Sequence, residues 1–193
     1  MRPTEEQKII IITAPSGAGK TSITRHLLKK YPQLAFSVSA ATRSPRPHEK
    51  EGIDYYFLSL DDFKQKIVNG EFAEWEMVYE GKYYGTLKTE LQRIWGSGRV
   101  PLLDIEVKGA IHIRELYPQS TLSIFIEPPS VDELKRRLET RGTETAETLQ
   151  ARVNKAAYEI SFKHHFDKII VNKELEKACL EAESIVQSFL LHS

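Results

Sequence analysis

Lys8-Ile9-Ile10-Ile11-Ile12-Thr13-Ala14-Pro15-Ser16-Gly17-Ala18-Gly19-Lys20-Thr21 begins as a run of isoleucines and ends in a Gly-Lys-Thr triplet. It reads as a buried strand, a glycine-rich loop able to cradle phosphate, and the start of a helix. The pattern G-x-x-x-x-G-K-[ST] is matched except at Ala14, which holds the first glycine position. Gly17 and Gly19 let the backbone curl so that successive N–H groups point at one centre. The following helix adds the positive end of its dipole. A triphosphate in this loop would be surrounded by Ala14, Pro15, Ser16, Gly17, Ala18, Gly19, Lys20 and Thr21. Lys20 would supply a point charge to the β/γ-phosphates, and Thr21 a hydroxyl to the Mg²⁺ that accompanies ATP. Glycine-rich turns also join strands to helices without any ligand. The apolar strand before this turn and the Gly-Lys-Thr inside it favour the phosphate reading.

The rest of the composition narrows the partners. The chain has 193 residues, 40% of them hydrophobic, enough for one compact domain with a real core. Its 27 lysines and arginines balance 27 aspartates and glutamates, so it lacks the broadly basic face of a nucleic-acid binder. Any positive field must come from local clustering in a cleft. Apolar stretches are strand-sized and too short to span a membrane. Met1 to Gln7 lacks a secretory apolar region. Cys179 is the sole cysteine, which excludes an internal disulfide and a cysteine-based zinc site and suits a reducing cytoplasm. It reads as a buried apolar residue on a C-terminal helix.

Short apolar runs at Lys8–Thr13, Val100–Ile105, Ser120–Ile126 and Lys168–Val171, with Ala35–Ala40 as a fifth, predict strands covered on both faces. Such runs belong to parallel sheets flanked by helices. Helices are expected from Lys20 to about Lys30 and from Ser130 to Gly142, the second opened by the capping box Ser130-x-x-Glu133. Two more are expected from Ala146 to Phe162 and from Lys173 to Leu191. In the third of these four, Leu149, Val153, Ala156, Ala157 and Ile160 recur at helical spacing. The alternation of strand and helix implies an α/β sandwich. Ser39 to Thr86 breaks that rhythm with a proline- and arginine-rich loop, a short helix over Asp61–Asn69, and a hairpin turn at Glu80-Gly81-Lys82. It reads as a small lobe inserted after the second strand.

A phosphate loop leaves the acceptor open. Ser39-Ala40-Ala41-Thr42-Arg43-Ser44-Pro45-Arg46-Pro47, Glu51-Gly52-Ile53-Asp54-Tyr55, Glu71-Phe72-Ala73-Glu74-Trp75 and Tyr83-Tyr84-Gly85-Thr86 together resemble the guanylate kinases, which transfer phosphate from ATP to GMP. The resemblance continues through Leu103-Asp104-Ile105-Glu106-Val107-Lys108-Gly109, Pro128-Pro129-Ser130, Arg137, Arg141-Gly142-Thr143-Glu144-Thr145 and Ile170-Val171-Asn172. It implies an α/β P-loop kinase core with a five-stranded, mostly parallel sheet flanked by helices, over about 1–38, 87–128 and 163–193. It also implies an α+β GMP-binding lobe over about 39–86 and a helical lid over about 129–162. The implied activity is γ-phosphate transfer from ATP to GMP, and to dGMP, in line and with Mg²⁺. The implied setting is a cytoplasmic monomer or homodimer with no nucleic-acid or membrane partner.

The resemblance assigns the acceptor phosphate to Arg43, Arg46, Tyr55 and Tyr84, and arginine forks do suit phosphate oxygens. It assigns guanine to Glu74, Ser39 and Thr86. Guanine offers two adjacent donors that a carboxylate accepts and an O6 that hydroxyls can reach. Adenine would leave those buried groups unpaired, at ~1–3 kcal/mol or more each. Without the resemblance, Glu74 could as well be an exposed strand residue. Arg137, Arg141 and Arg152 match lid arginines that neutralise the transferring group, and with Lys20 and Asp104 they form the expected catalytic set. From spacing alone, Arg137 and Arg141 could equally belong to a salt-bridged surface helix. Asp104 ends a strand beside the phosphate loop, suited to ordering metal-bound water, and the resemblance places Asp104 and Glu106 on the acceptor side. Asn172 matches an asparagine near adenine, though an ordinary turn asparagine would fit too.

Three positions depart from the pattern: Ala14 for glycine, His48 for glycine, and Glu106 where aspartate is common. Ala14 is expected to be tolerated because Pro15 favours an extended conformation before it. Two other functions are compatible with parts of the pattern: a catalytically silent interaction module, which would lack the phosphate-handling groups, and a kinase for a sugar phosphate, which would not need Glu74, Ser39 and Thr86.

Overall fold

The computed structural model describes residues 7–140 and 146–191. The isoleucine run forms β1 (Ile9–Thr13), every residue of it buried. Side chains alternate across a strand. Ile10 and Ile12 therefore enter one apolar core, with Ile23, Leu27, Leu134, Leu138 and Val186, while Ile9 and Ile11 enter a second, with Leu91, Leu103, Ala110 and Ile113. A strand fully covered on both sides has no use for polar alternation, which is why the run is continuous.

β1 lies at the centre of a sheet ordered β2-β7-β1-β8-β9, with β2 (Leu34–Phe36), β7 (Val100–Asp104), β8 (Thr121–Glu127) and β9 (Lys168–Val171). All its pairings are parallel. The helices are α1 (Lys20–Lys30), α3 (Lys88–Gly96), α4 (Val107–Leu116), α5 (Val131–Thr140), α6 (Ala146–Ile160) and α7 (Leu175–Leu191), with α2 (Leu60–Val68) in the lobe. The spacing rules did not single out α3 and α4. Each is short, and neither has a side-chain hydrogen bond at its N-cap (Leu87 and Glu106) to mark where it starts. Among the described residues no helix is long and apolar enough to cross a membrane.

The expected strand Ala35–Ala40 is two strands. β2 ends at Phe36; Ser37 donates its N–H to the Leu102 carbonyl at 3.0 Å, and Val38 donates to the Glu90 carboxylate at 3.0 Å. The chain then joins a different sheet as β3 (Ser39–Ala41). That sheet is ordered β4-β3-β6-β5, with β4 (Tyr55–Phe57), β5 (Phe72–Tyr79) and β6 (Lys82–Leu87). The two short strands follow one another with only Ser37 and Val38, both buried, between them, so the crossing leaves no turn residue to mark it. The lobe has its own small core of Ala40, Phe63 and Phe72, with the two phenylalanine rings stacked at 4.3 Å. Ser59 caps α2 by accepting the Asp62 N–H, and Gly81 closes the β5–β6 hairpin at φ +69°.

Other boundaries shift by a few residues. Ser130 caps α5 by accepting the Glu133 N–H at 3.1 Å, and α5 is described to Thr140; the predicted stop at Gly142 lies outside the described residues. Cys179 is buried on α7. Trp95 packs on Tyr117 and donates its indole N–H to the Lys8 carbonyl, whereas Trp75 is 46% exposed. His164 and His165 sit on a single 3-10 turn after α6, both exposed.

Candidate functional site at the carboxyl edge of the parallel sheet

Between β1 and α1 the backbone turns through Gly17 at φ +93° and Gly19 at φ +100°. Both values lie in the region that only glycine adopts without strain. Among the described residues positive φ occurs at glycines alone, so Ala14 is not strained and its departure from the pattern carries no penalty. The loop closes on itself, Ala18 N–H donating to the Pro15 carbonyl and Ser22 N–H to that of Gly19. Leu134 and Leu138 of α5 pack where a Gly17 side chain would be.

Lys20 points back across the sheet edge. Its ammonium meets Asp104 Oδ1 at 2.6 Å and the Ile105 carbonyl at 3.3 Å. Burial alone would lower the Lys20 pKa, but Asp104 and then Glu106 outweigh it and hold the ammonium above its ordinary value. Thr13 reaches the same Ile105 carbonyl through its hydroxyl. The end of β7 is thus fastened to both ends of the glycine loop. Thr21, one residue into α1, is exposed.

On the lobe, β5 and β6 set Glu74 opposite Thr86. The Thr86 hydroxyl donates to Glu74 Oε1 at 2.6 Å, and Glu74 is only 6% exposed. Gly109, near the start of α4, has no side chain because the Glu74 carboxyl fills that space. Burial raises the Glu74 pKa to about 7, against the opposing Thr86 hydrogen bond. Thr86, expected to donate to the guanine O6, instead directs its one proton at Glu74. Ser39 sits half-buried on β3.

Arg43 grips Glu49 with both arms of its guanidinium, at 2.6 and 2.7 Å, and lies over the Tyr55 ring at 4.7 Å. The Glu49 hydrogen bonds push Arg43 above its ordinary pKa, while Arg43 draws the Glu49 carboxyl down to about 2. The Arg46 N–H also donates to Glu49, at 2.8 Å, while the Arg46 guanidinium stays mostly in solvent, 4.0 Å from that carboxylate. The Tyr55 and Tyr84 rings meet edge to face at 6.0 Å, and burial raises the Tyr55 hydroxyl pKa against the pull of Arg43. His48 is exposed.

Helices α5 and α6 face the loop. Arg152 Nη1 lies 3.3 Å from the Ser16 hydroxyl. Arg137 bonds Glu133 and the Asn172 carbonyl, at 2.9 and 3.0 Å. Arg141 lies outside the described residues. Lys155 of α6 sits 3.5 Å from both Glu106 and Glu159. Burial opposes the Glu106 carboxylate, but Lys20 and Lys155 outweigh it and hold it low. Burial and the Glu106 charge raise Glu159 to about 7.

Charge effects couple these groups to one another. Glu74 feels Glu106, Glu106 feels Lys20, Lys20 feels Asp104, and Tyr55 feels both Asp104 and Arg43. Three parts of the site escaped sequence reasoning. Glu49 carried a signal, an acid three residues after Arg46 in a proline-stiffened turn. Gly109 stood within a recognised motif with no hint of what its missing side chain admits. The Lys155–Glu159 pair reads as an ordinary i,i+4 surface pair.

A glycine loop feeding a helix, a half-buried lysine beside a strand-end aspartate, and a second sheet with a buried acid define an α/β P-loop kinase fold with an inserted lobe. Comparison with known proteins narrows this. The family model for guanylate kinase matches residues 6–189. A guanylate kinase of Bacteroides fragilis is 46% identical over 187 residues, covering 97% of this chain and 92% of that protein. One of Salinibacter ruber is 43% identical, covering 96% and 98%. The crystal structure of guanylate kinase from Anaplasma phagocytophilum superposes with a TM-score of 0.78 at 31% identity, over 98% of this chain and 89% of that one. The chain belongs to the guanylate kinase family and is an enzyme of it.

Proposed function

We propose that this enzyme transfers the γ-phosphate of ATP to GMP, and to dGMP, giving ADP and the guanosine diphosphate by in-line displacement. The observation that carries this reading is the buried Glu74 carboxyl, seated between Thr86 and Gly109 and coupled by charge, through Glu106, to the lysine of the phosphate loop. A buried acid of this kind suits the adjacent N1–H and amino donors of guanine. Thr86 orients it, and Ser39 is the donor for O6. Arg43, Arg46, Tyr55 and Tyr84 receive the acceptor phosphate. Nothing in this set needs the ribose 2′-hydroxyl, which is why the deoxynucleotide is included.

The acceptor is already an oxyanion, so no strong base is required. An oxygen of the GMP phosphate attacks the γ-phosphorus, the bond to the β-bridging oxygen breaks, and ADP leaves with that electron pair. The obstacle is repulsion between two anions. Lys20 and the lid arginines Arg137, Arg141 and Arg152 act by position and charge, and a single arginine placed so contributes ~10³–10⁵ in rate. Among the described residues no three His, Cys, Asp or Glu side chains are grouped to hold a metal. The protein's donors, the Thr21 hydroxyl with Asp104 acting through water, fit a Mg²⁺ that brings phosphate oxygens as its own ligands. When bound, Mg²⁺ neutralises charge between the β- and γ-phosphates. In this reading residues 39–86 close on the acceptor and residues 129–162 on the donor, excluding water.

A coupled assay of ADP release from Mg·ATP across GMP, AMP, CMP and UMP tests the reading. GMP is expected to lead by on the order of 10³ or more in kcat/KM. Comparable turnover of AMP, or none with millimolar GMP, overturns it.

A further inference from the structure

Asn172 follows β9 and is 4% exposed. Three hydrogen bonds converge on it. Its N–H donates to the Glu127 carbonyl at 2.8 Å, at the end of β8. Its side-chain Nδ2 donates to the Ala18 carbonyl at 2.7 Å, in the glycine loop. Its own carbonyl accepts from Arg137 Nη2 at 3.0 Å. Gly19 makes the fit possible, since a side chain there would collide with the Asn172 amide.

A peptide unit is planar and trans, so its C=O and the following N–H point opposite ways. Fixing the Ala18 carbonyl on Asn172 therefore aims the Gly19 N–H away from Asn172. The fixed unit is the Ala18–Gly19 peptide, one peptide ahead of the Gly19–Lys20 bond. We infer that Asn172 is a positioning residue: its amide sets the Ala18–Gly19 peptide of the phosphate loop while its carbonyl fastens Arg137 at the root of the lid, so that it orders the donor phosphates and leaves the donor base unread. The inference rests on the seating of the ATP phosphates in this loop proposed above.

The two roles differ in what a substitution does. A base reader loses selectivity among donors. A strut weakens every donor alike and leaves the acceptor alone. Asn172→Ala removes the amide, and a lost hydrogen bond of this kind predicts a ~10-fold rise in KM for ATP. Asn172→Asp keeps the shape but sets a carboxylate oxygen against the Ala18 carbonyl, so the rise should be larger, ~100-fold, with a fall in kcat. The ratio of kcat/KM for ATP over GTP as donor should stay within about twofold of wild type in both, as should GMP affinity by calorimetry. Asn172→Ser, smaller but with a hydroxyl donor, should fall between wild type and Asn172→Ala, and keeps the test open if Asn172→Asp fails to fold. Collapse of ATP-over-GTP selectivity, equal loss of GMP affinity, or wild-type kinetics in Asn172→Asp would each overturn the strut. Lys20→Ala, measured alongside, separates the two readings. Near-normal turnover in that variant removes the phosphate seating and the strut together. Loss there with wild-type kinetics in Asn172→Asp removes the strut only.

Discussion

Glu74 illustrates how burial turns a common surface residue into a selective one. In water its carboxyl would lose its proton near 4.5; inside the lobe it does so at about 7. Between those values the native state holds a proton that the unfolded chain has released. Stability therefore falls as pH rises from about 4.5 to 7, by on the order of 3 kcal/mol for this group, and levels off above. Glu159 adds to the same slope, so the test is the difference between wild type and Glu74→Gln in urea titrations at several pH values. The variant should show a shallower decline; parallel curves would refute the assigned burial cost. Glu74→Gln should also lower kcat/KM for GMP by ~10²-fold or more while sparing ATP affinity. At Arg43, lysine keeps the charge but loses the two-armed grip on Glu49, so Arg43→Lys should raise KM for GMP by ~10-fold with little change in kcat. The glycine loop was the most readable part of the sequence, because the backbone at Gly17 and Gly19 admits few other residues. Partnerships were less so. Nothing in the order of residues says that Thr86 spends its proton on Glu74, or that Gly109 leaves room for that carboxyl.

At the level of elements, the sequence revealed those whose apolar pattern is set by one environment. β1 and β8 are covered on both faces and read as continuous runs, while β9, at the sheet edge, buries only Ile170 fully and leaves Lys168 and Val171 exposed. β2 and β3 were read as one strand because burial continues across the crossing between sheets. α3 and α4 escaped because short helices with no capping side chain have no punctuation. The crossing has its own fastening. Glu90 of α3, whose side chain is 1% exposed, accepts the Val38 N–H, the Tyr56 hydroxyl at 2.9 Å and both arms of Arg93. These bonds hold its pKa below the ordinary value despite burial. The lobe beyond it rests on few apolar groups. Phe63→Ala, which removes one ring of the stacked pair, should cost ~3–5 kcal/mol locally. Amide hydrogen exchange should then rise across 39–86 and KM for GMP increase, while β1, β7 and β8 remain protected. Equal deprotection of the central sheet would show that the lobe is not a separate cooperative unit.

On the scale of the whole molecule, a formal net charge of zero coexists with cations each set beside an acid. Lobe and lid should approach one another when both nucleotides are present, and small-angle scattering with GMP and a non-hydrolysable ATP analogue should report a smaller radius of gyration than either ligand gives alone. An unchanged radius would remove closure from the mechanism. The balance of charge has a further effect. Lys20 already rests on Asp104, Arg43 on Glu49 and Arg137 on Glu133. Under the proposed seating of the two nucleotides, an arriving anion displaces a resident acid instead of meeting a bare cation, and the departing product hands the cation back. In that reading docking becomes a change of dance partner on both sides of the reaction, which tempers the grip on either anion and guards against poisoning by product.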